Sequence, residues 1–142
     1  MKNKLLLLCL IALTISCQKK EEKKVCTKEK TFDMYQMSEM ATLMEQMYAH
    51  NQQLRARILK KDTIGKFPEF FNKIYTAKFT DESDNDAFFV ANAKKYITAQ
   101  QLIYSDTANV KQHYNDGLKA CITCHQGKCG GPIPRIKKLM IK

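Results

Sequence analysis

Between Thr31 and Gln126 the apolar residues recur at intervals of three and four, and that period constrains the fold more than any other feature of the chain. Met34, Met37, Met40, Met44 and Met47 wind into an arc of roughly 140° at helical pitch, one face of a helix, and Leu54 and Ile58 continue the series. The stripe predicts a first helix from Thr31 that ends near Lys60-Lys61-Asp62, before Gly65. A second helix is expected from Phe67-Pro68, where proline suits a first turn, to about Thr80, with Phe70, Phe71, Ile74 and Ala77 inward. Asp81-Glu82-Ser83-Asp84 is turn and capping chemistry. A third helix is expected from about Asn85 to Tyr104, with Phe89, Ala93, Tyr96 and Ile103 on one side. Ser105-Asp106 should cap a fourth, whose inner face reads Val110, Tyr114, Leu118, Cys121, Cys124, His125 and whose stop is Gly127. No segment alternates as a strand. Each helix can hide only one stripe, so the stripes must meet in a shared core. The expected fold class is all-α, an antiparallel four-helix bundle.

The ends of the chain read differently. Lys2 and Lys4 precede an apolar run from Leu5 to Ile15, 11 residues long, too short to span a bilayer as a mature helix. Residues 1–16 therefore read as a secretory signal peptide. Thr14-Ile15-Ser16-Cys17 resembles a bacterial lipobox, which implies a lipidated Cys17 as the mature N-terminus and a place on the periplasmic face of a bacterial membrane. The stretch to Lys30 (QKKEEKKVCTKEK) is a charged spacer. Loss of Lys2 and Lys4 leaves 22 basic against 14 acidic residues, a net charge of about +8. Such a surface favours acidic protein partners or anionic lipid. Nucleic acid is not expected, since no basic–aromatic cluster accompanies the charge. Residues 127–142 are basic, and Pro132 and Pro134 are expected to keep them an extended strap.

The motif that carries chemistry is "KACITCHQGKC", residues 119–129. Cys121-x-x-Cys124-His125 is the spacing that covalent attachment of a c-type haem requires. On a helix the three side chains lie at i, i+3 and i+4 and share one face, so two thioethers can hold the porphyrin while His125 reaches the iron as proximal ligand. Gly117, one turn before Cys121, would admit the haem or a neighbouring helix close to the backbone. A zinc site built from Cys121, Cys124, Cys129 and a histidine is the alternative, weakened by the absence of a second CxxC or HxxxH pair. A dithiol redox centre lacks the expected βαβ pattern. In an oxidising compartment the cysteines then divide by fate. Cys9 leaves with the signal, Cys17 takes lipid, and Cys121 and Cys124 take haem. Cys26 and Cys129 are left free to form a disulfide.

A c-type haem motif near the C-terminus of a four-helix chain resembles the class II cytochromes c, cytochrome c′ and its low-spin relatives, over about Thr31 to Gln126. The resemblance implies a haem inside the bundle, with its distal side faced by a residue of the first helix. "LMEQMYAH", Leu43 to His50, resembles the family's distal segment and puts Met44 over the iron; a shift of one turn would substitute Met40 or Met47. A basic residue often found one turn before the distal position is Met40 here, so contacts to the haem propionates must come from elsewhere. Many relatives form homodimers. His50 and His113 are expected to be partly exposed surface residues.

These observations together predict a non-enzymatic one-electron carrier anchored by lipid, holding haem c with iron between His125 and Met44, and exchanging electrons with acidic redox proteins. If the methionines pack aside, the same iron would be five-coordinate and bind nitric oxide or carbon monoxide. A zinc-held structural lipoprotein is a further alternative. No paired carboxylates or Ser/His/Asp set suggest hydrolytic chemistry.

Overall fold

A computed structural model of the chain describes residues 36–142, so Cys9, Cys17, Cys26, Met34 and Tyr35, and with them the signal, the lipidation site and one half of the expected disulfide, lie outside the described residues. Four α-helices pack together: α1 (Glu39–Lys60), α2 (Ala87–Ser105), α3 (Val110–Lys128) and a short α4 (Ile133–Lys137). Among the described residues there is no strand, and no helix is long and apolar enough to cross a membrane.

Helix α1 begins later than the periodicity suggests. Ser38 is its N-cap, its hydroxyl accepting a hydrogen bond from the Ala41 N–H at 3.1 Å, which satisfies one of the four unpaired amides of a helix start. Residues 36–38 are not helical, and Met37 is 48% exposed, outside the stripe. Inside it, Met40, Leu43, Met47, Leu54 and Ile58 are buried. Lys61, in the left-handed conformation at φ 56°, closes the helix where the basic pair predicts.

The expected second α-helix is instead a 3₁₀ segment, Glu69–Tyr75, flanked by chain without regular secondary structure. The physical reason lies in its aromatics. Phe67, Phe70, Phe71, Ile74, Ala77 and Phe79 all pack on the core, and no single α-helical stripe accommodates them. The three-residue turn instead aligns Phe71 and Ile74, which are both buried, while Phe70 and Phe67 stand edge-on to Phe71. The segment returns to the start of α1, where the Met40 N–H donates to the Lys78 carbonyl and the Lys78 N–H to Glu39 Oε2.

Asp81 caps the short turn Glu82–Asp84, and Asp86 caps α2 by accepting from the Phe89 N–H at 2.8 Å. Phe89, Ala93, Tyr96 and Ile103 are buried, the side expected of them. Ser105-Asp106 does not cap α3. A 3₁₀ turn, Thr107–Asn109, intervenes, and the Asp106 carboxylate instead bonds Asn109 and His113. Gly127 does not end α3 either, because the helix continues to Lys128. A β-carbon there would come within 2.7 Å of the Phe88 ring, so this glycine serves packing against α2. Lys128 ties the two helices by salt bridges to Asp86 at 2.7 Å and Asp84 at 3.4 Å.

The tail is a correction as well. Pro132 and Pro134 start α4 rather than preventing it, since a first helical turn has no use for the amide hydrogens that proline lacks. Ile136, Leu139 and Ile141 are buried beside Leu54, Ile58, Tyr114 and Leu118. Asn115 clamps Ile141 through both its backbone N–H and its carbonyl, at 2.9 and 2.8 Å. Arg135 forms a bidentate pair with Glu45 at 2.7 and 2.9 Å, with its guanidinium 4.0 Å above the Tyr48 ring.

Candidate functional site

The long helices are not equally spaced. Gly117 on α3 is buried against Gln100, Ala99 and Tyr96 of α2, and these two backbones run side by side. Helix α1 stands off from both, and what bridges the space is side chains. The Tyr114 hydroxyl donates to the Asn51 carbonyl at 3.0 Å, and the Asn51 amide donates to the Tyr96 hydroxyl at 2.9 Å. Asn51 also donates to the Met47 carbonyl and accepts from Gln100 Nε2 at 3.0 Å, so a buried polar cluster joins all three helices.

Toward the Ser38 end the separation opens into three adjoining clefts. One, of about 510 Å³, lies between α1, α3 and the tail and is bordered by Met44, Met47, Tyr96, Cys121, His125 and Ile136. A second, of about 630 Å³, is bordered by Met40, Met44, Phe79, Phe89, Cys124 and His125. The third, about 320 Å³, reaches inward to Asn92, Ala93 and Tyr96 and is again bordered by Met44, Met47, Cys121, Cys124 and His125. Met44 on one wall and His125 on the other border all three, which makes them compartments of one largely apolar gap.

The structure thus brings together five of the residues singled out by sequence: Cys121, Cys124 and His125 on one face of α3, opposite Met44 and Met47 on α1. Met40 borders only the outer cleft. His50 turns elsewhere, its ring edge-on to Phe71 at 5.2 Å and its Nε2 3.4 Å from the Tyr104 hydroxyl. His113 pairs with Asp106 at 2.8 Å, and neither histidine borders the gap. Both are part-buried and engaged rather than surface-free.

The electrostatics separate the candidate chemistries. Burial, reinforced by Cys124, pushes the Cys121 thiol up to about 12, and burial with the neighbouring Cys129 raises Cys124. Reactive redox cysteines have the opposite shift, because their thiolate is stabilised. A zinc site needs several converging ligands, and among the described residues no group of three or more Cys, His, Asp or Glu side chains is arranged to hold a metal ion. Burial lowers the His125 pKa, partly opposed by its hydrogen bond to the Cys129 backbone, so the imidazole is neutral at pH 7. Its Nδ1 faces the Cys129 carbonyl at 3.3 Å and the Cys129 sulfur at 3.1 Å. Nδ1 is therefore occupied, and Nε2 is the nitrogen left for another partner.

Sequence reasoning turned Tyr96 inward but did not single out Asn92. Asn92 is 4% exposed and donates to the Phe88 carbonyl, leaving its Oδ1 without a partner among the described residues. Tyr96 is 2% exposed, and burial holds its hydroxyl protonated far above the ordinary range. Comparison with protein-family models, with curated proteins and with solved structures finds no match to this chain.

Proposed function

We propose that this chain is a c-type haem protein that carries single electrons from the surface of a bacterial membrane, held there by lipid on Cys17. The observation that carries the reading is the placement of Cys121, Cys124 and His125 along one wall of an apolar gap whose facing wall presents Met44. The donor set fits the group. The two thiols are one helical turn apart, spaced to add across two vinyl groups of one macrocycle, each forming one S–C bond and delivering its hydrogen to the adjacent carbon. His125 is neutral, with Nε2 available. Phe89, Ala93 and Ile136 give the gap apolar walls.

When bound, the haem supplies a one-electron couple whose potential is set by the axial ligands and the dielectric of the site. The chain's own residues do the rest. His125 of α3 would hold the iron through Nε2, and Met44 of α1 would offer a soft thioether, a ligand that favours reduced iron. The tail borders one side of the gap through Ile136 of α4 and Leu139 just beyond it. Arg135, bonded to Glu45, and Lys128, bonded to Asp86, border the clefts and would be the cations available to haem carboxylates. Thioether attachment retains the cofactor through changes of axial ligation.

The test uses the full-length chain produced in a host that matures c-type haem. Expected are a pyridine haemochrome typical of two thioethers, haem stain retained after denaturing electrophoresis, and a low-spin oxidised spectrum. Colourless protein, or stain lost on denaturation, overturns the proposal. High-spin bands with rapid carbon monoxide uptake would select a five-coordinate, gas-binding module in place of a carrier.

A further inference from the structure

Cys129 is the residue that the cysteine arithmetic assigns to a disulfide, yet its sulfur lies 3.1 Å from His125 Nδ1. Its backbone is engaged with the same residue twice. The Cys129 N–H donates to the His125 carbonyl at 3.0 Å, and the Cys129 carbonyl stands 3.3 Å from Nδ1. This closed arrangement follows from α3 ending at Lys128, because residue 129 is then the C-cap, one turn beyond residue 125. The cap is fixed from the other side too. The tail that begins at Cys129 is fastened to α1 by Arg135–Glu45 and to α3 by the Asn115 clamp on Ile141, with Ile136 and Leu139 buried between.

We propose that Cys129 is a positioning residue for the proximal ligand, accepting hydrogen from His125 Nδ1 through both its carbonyl and its sulfur. The inference rests on the haem reading above. A metal at Nε2 obliges the ring hydrogen to sit on Nδ1, and both neighbours then act as acceptors. A ligating histidine whose second nitrogen donates a hydrogen bond is fixed in tautomer and ring orientation and becomes a stronger donor to its metal. A stronger nitrogen donor favours ferric over ferrous iron, opposite in sense to the Met44 thioether. Cys129 thereby trims the potential downward and holds the imidazole plane against rotation.

The experiment compares wild type, Cys129→Ala and Cys129→Ser as full-length, haem-loaded proteins by optical spectroelectrochemistry. Alanine keeps the backbone pair and loses the sulfur acceptor; serine restores an acceptor at similar reach. The midpoint potential should rise in Cys129→Ala and return toward wild type in Cys129→Ser, with haem content per chain unchanged in all three. Equal potentials in the three proteins would overturn the proposal. Should Cys129→Ala fail to accumulate, proton NMR of the reduced wild type reads the same contact: the His125 Nδ1 hydrogen must exchange slowly with solvent, and rapid exchange overturns it. Pyridine haemochrome on each sample separates the two levels. A colourless wild type sinks the haem reading and this inference together, whereas a coloured set with no shift sinks the Cys129 role alone.

Discussion

Asn51 sits on the methionine stripe of α1, four residues after Met47, where the pattern calls for an apolar residue, and it is 3% exposed. Replacing it with leucine keeps the volume and removes every side-chain hydrogen bond it makes. Two partners are then left buried. Gln100 Nε2, on a residue at 0% exposure, loses its only acceptor among the described residues, and the Tyr96 hydroxyl loses its donor. A buried polar group deprived of its partner costs about 1–3 kcal/mol, so the substitution should destabilise by roughly 2–5 kcal/mol. For a domain of this size that is a fall in Tm of roughly 10–25 °C. Urea unfolding followed by helical circular dichroism measures it, and an unchanged m-value shows that two-state unfolding is preserved. The stronger check is the combination Asn51→Leu, Tyr96→Phe, Gln100→Leu. With both orphaned groups replaced by apolar ones, much of the loss should return, because removing all partners together is far less costly than removing one. An Asn51→Leu protein within about 0.5 kcal/mol of wild type, or a triple variant no better than the single, would refute the role assigned to this cluster.

Four further outcomes follow from the same geometry. On the proposed haem reading, with Met44 as the internal ligand, Met44→Ala should convert a low-spin oxidised spectrum to high-spin and raise apparent carbon monoxide affinity roughly tenfold or more, while Met40→Ala should leave both unchanged. Gly117→Ala should be neutral or stabilise by up to about 1 kcal/mol in thermal unfolding, since the added carbon meets Gln100, Ala99 and Tyr96 at 3.4–3.6 Å, ordinary contact, and alanine is the better helix former. His50 is desolvated by Phe70 and Phe71 and faces Arg57, so its folded pKa lies below the ordinary 6.5; the unfolded chain binds the extra proton first, and stability is full above that pH and falls as the pH drops through it. His50→Gln should flatten that dependence between pH 7.5 and about 5 in urea titrations, and an unchanged slope would exclude His50 as its source. Tyr96→Phe should cost stability with haem content retained, whereas Tyr96→Leu, too short to reach α1, should lower haem content per chain with helicity intact.

What could be read from the sequence depended on whether one helical face sufficed. In α1, α2 and α3 the buried residues lie on single faces, and spacing finds many of the apolar ones, although Met37 is exposed and the buried Asn51, Asn92 and Gln100 escape it. The Phe67–Phe79 stretch has aromatics on too many sides for one α-helical face, and only the positions of α1 and α2 explain its shape. Prolines in the tail were read as helix breakers, although a helix start tolerates them and the buried Ile136 needs that turn. In the site, the i, i+3, i+4 placement of Cys121, Cys124 and His125 was legible because it is local. Met44 came from the resemblance, and the gap it borders depends on tertiary spacing. Asn51 was visible as a polar residue inside an apolar stripe, but its partners Tyr96 and Gln100 lie 45 and 49 residues away. The contact of Cys129 with His125 was hidden by one misplaced boundary, because a helix stopped at Gly127 puts residue 129 beyond cap reach.

The distribution of side-chain sizes explains why the gap opens at the Met44 end and not elsewhere. Helices α2 and α3 meet through Gly117, Ala99, Ala93 and Ala120, residues small enough for close approach. Tyr96 and Tyr114 project from the same pair toward α1 and end in hydroxyls that both bond Asn51. Long aromatic spacers with polar tips hold α1 at a set distance, and the tips resist further collapse because closer packing would strand them without partners. Beyond Asn51, toward Leu54 and Ile58, the space between α1 and α3 is filled by Ile136, Leu139 and Ile141 of the tail. On the other side of Asn51 the same tail borders the gap through Ile136 and Leu139, and the facing walls are Met44 and His125. A short helix started by two prolines thus packs against Leu54, Ile58, Tyr114 and Leu118 on one side and borders the gap beside Cys121 on the other.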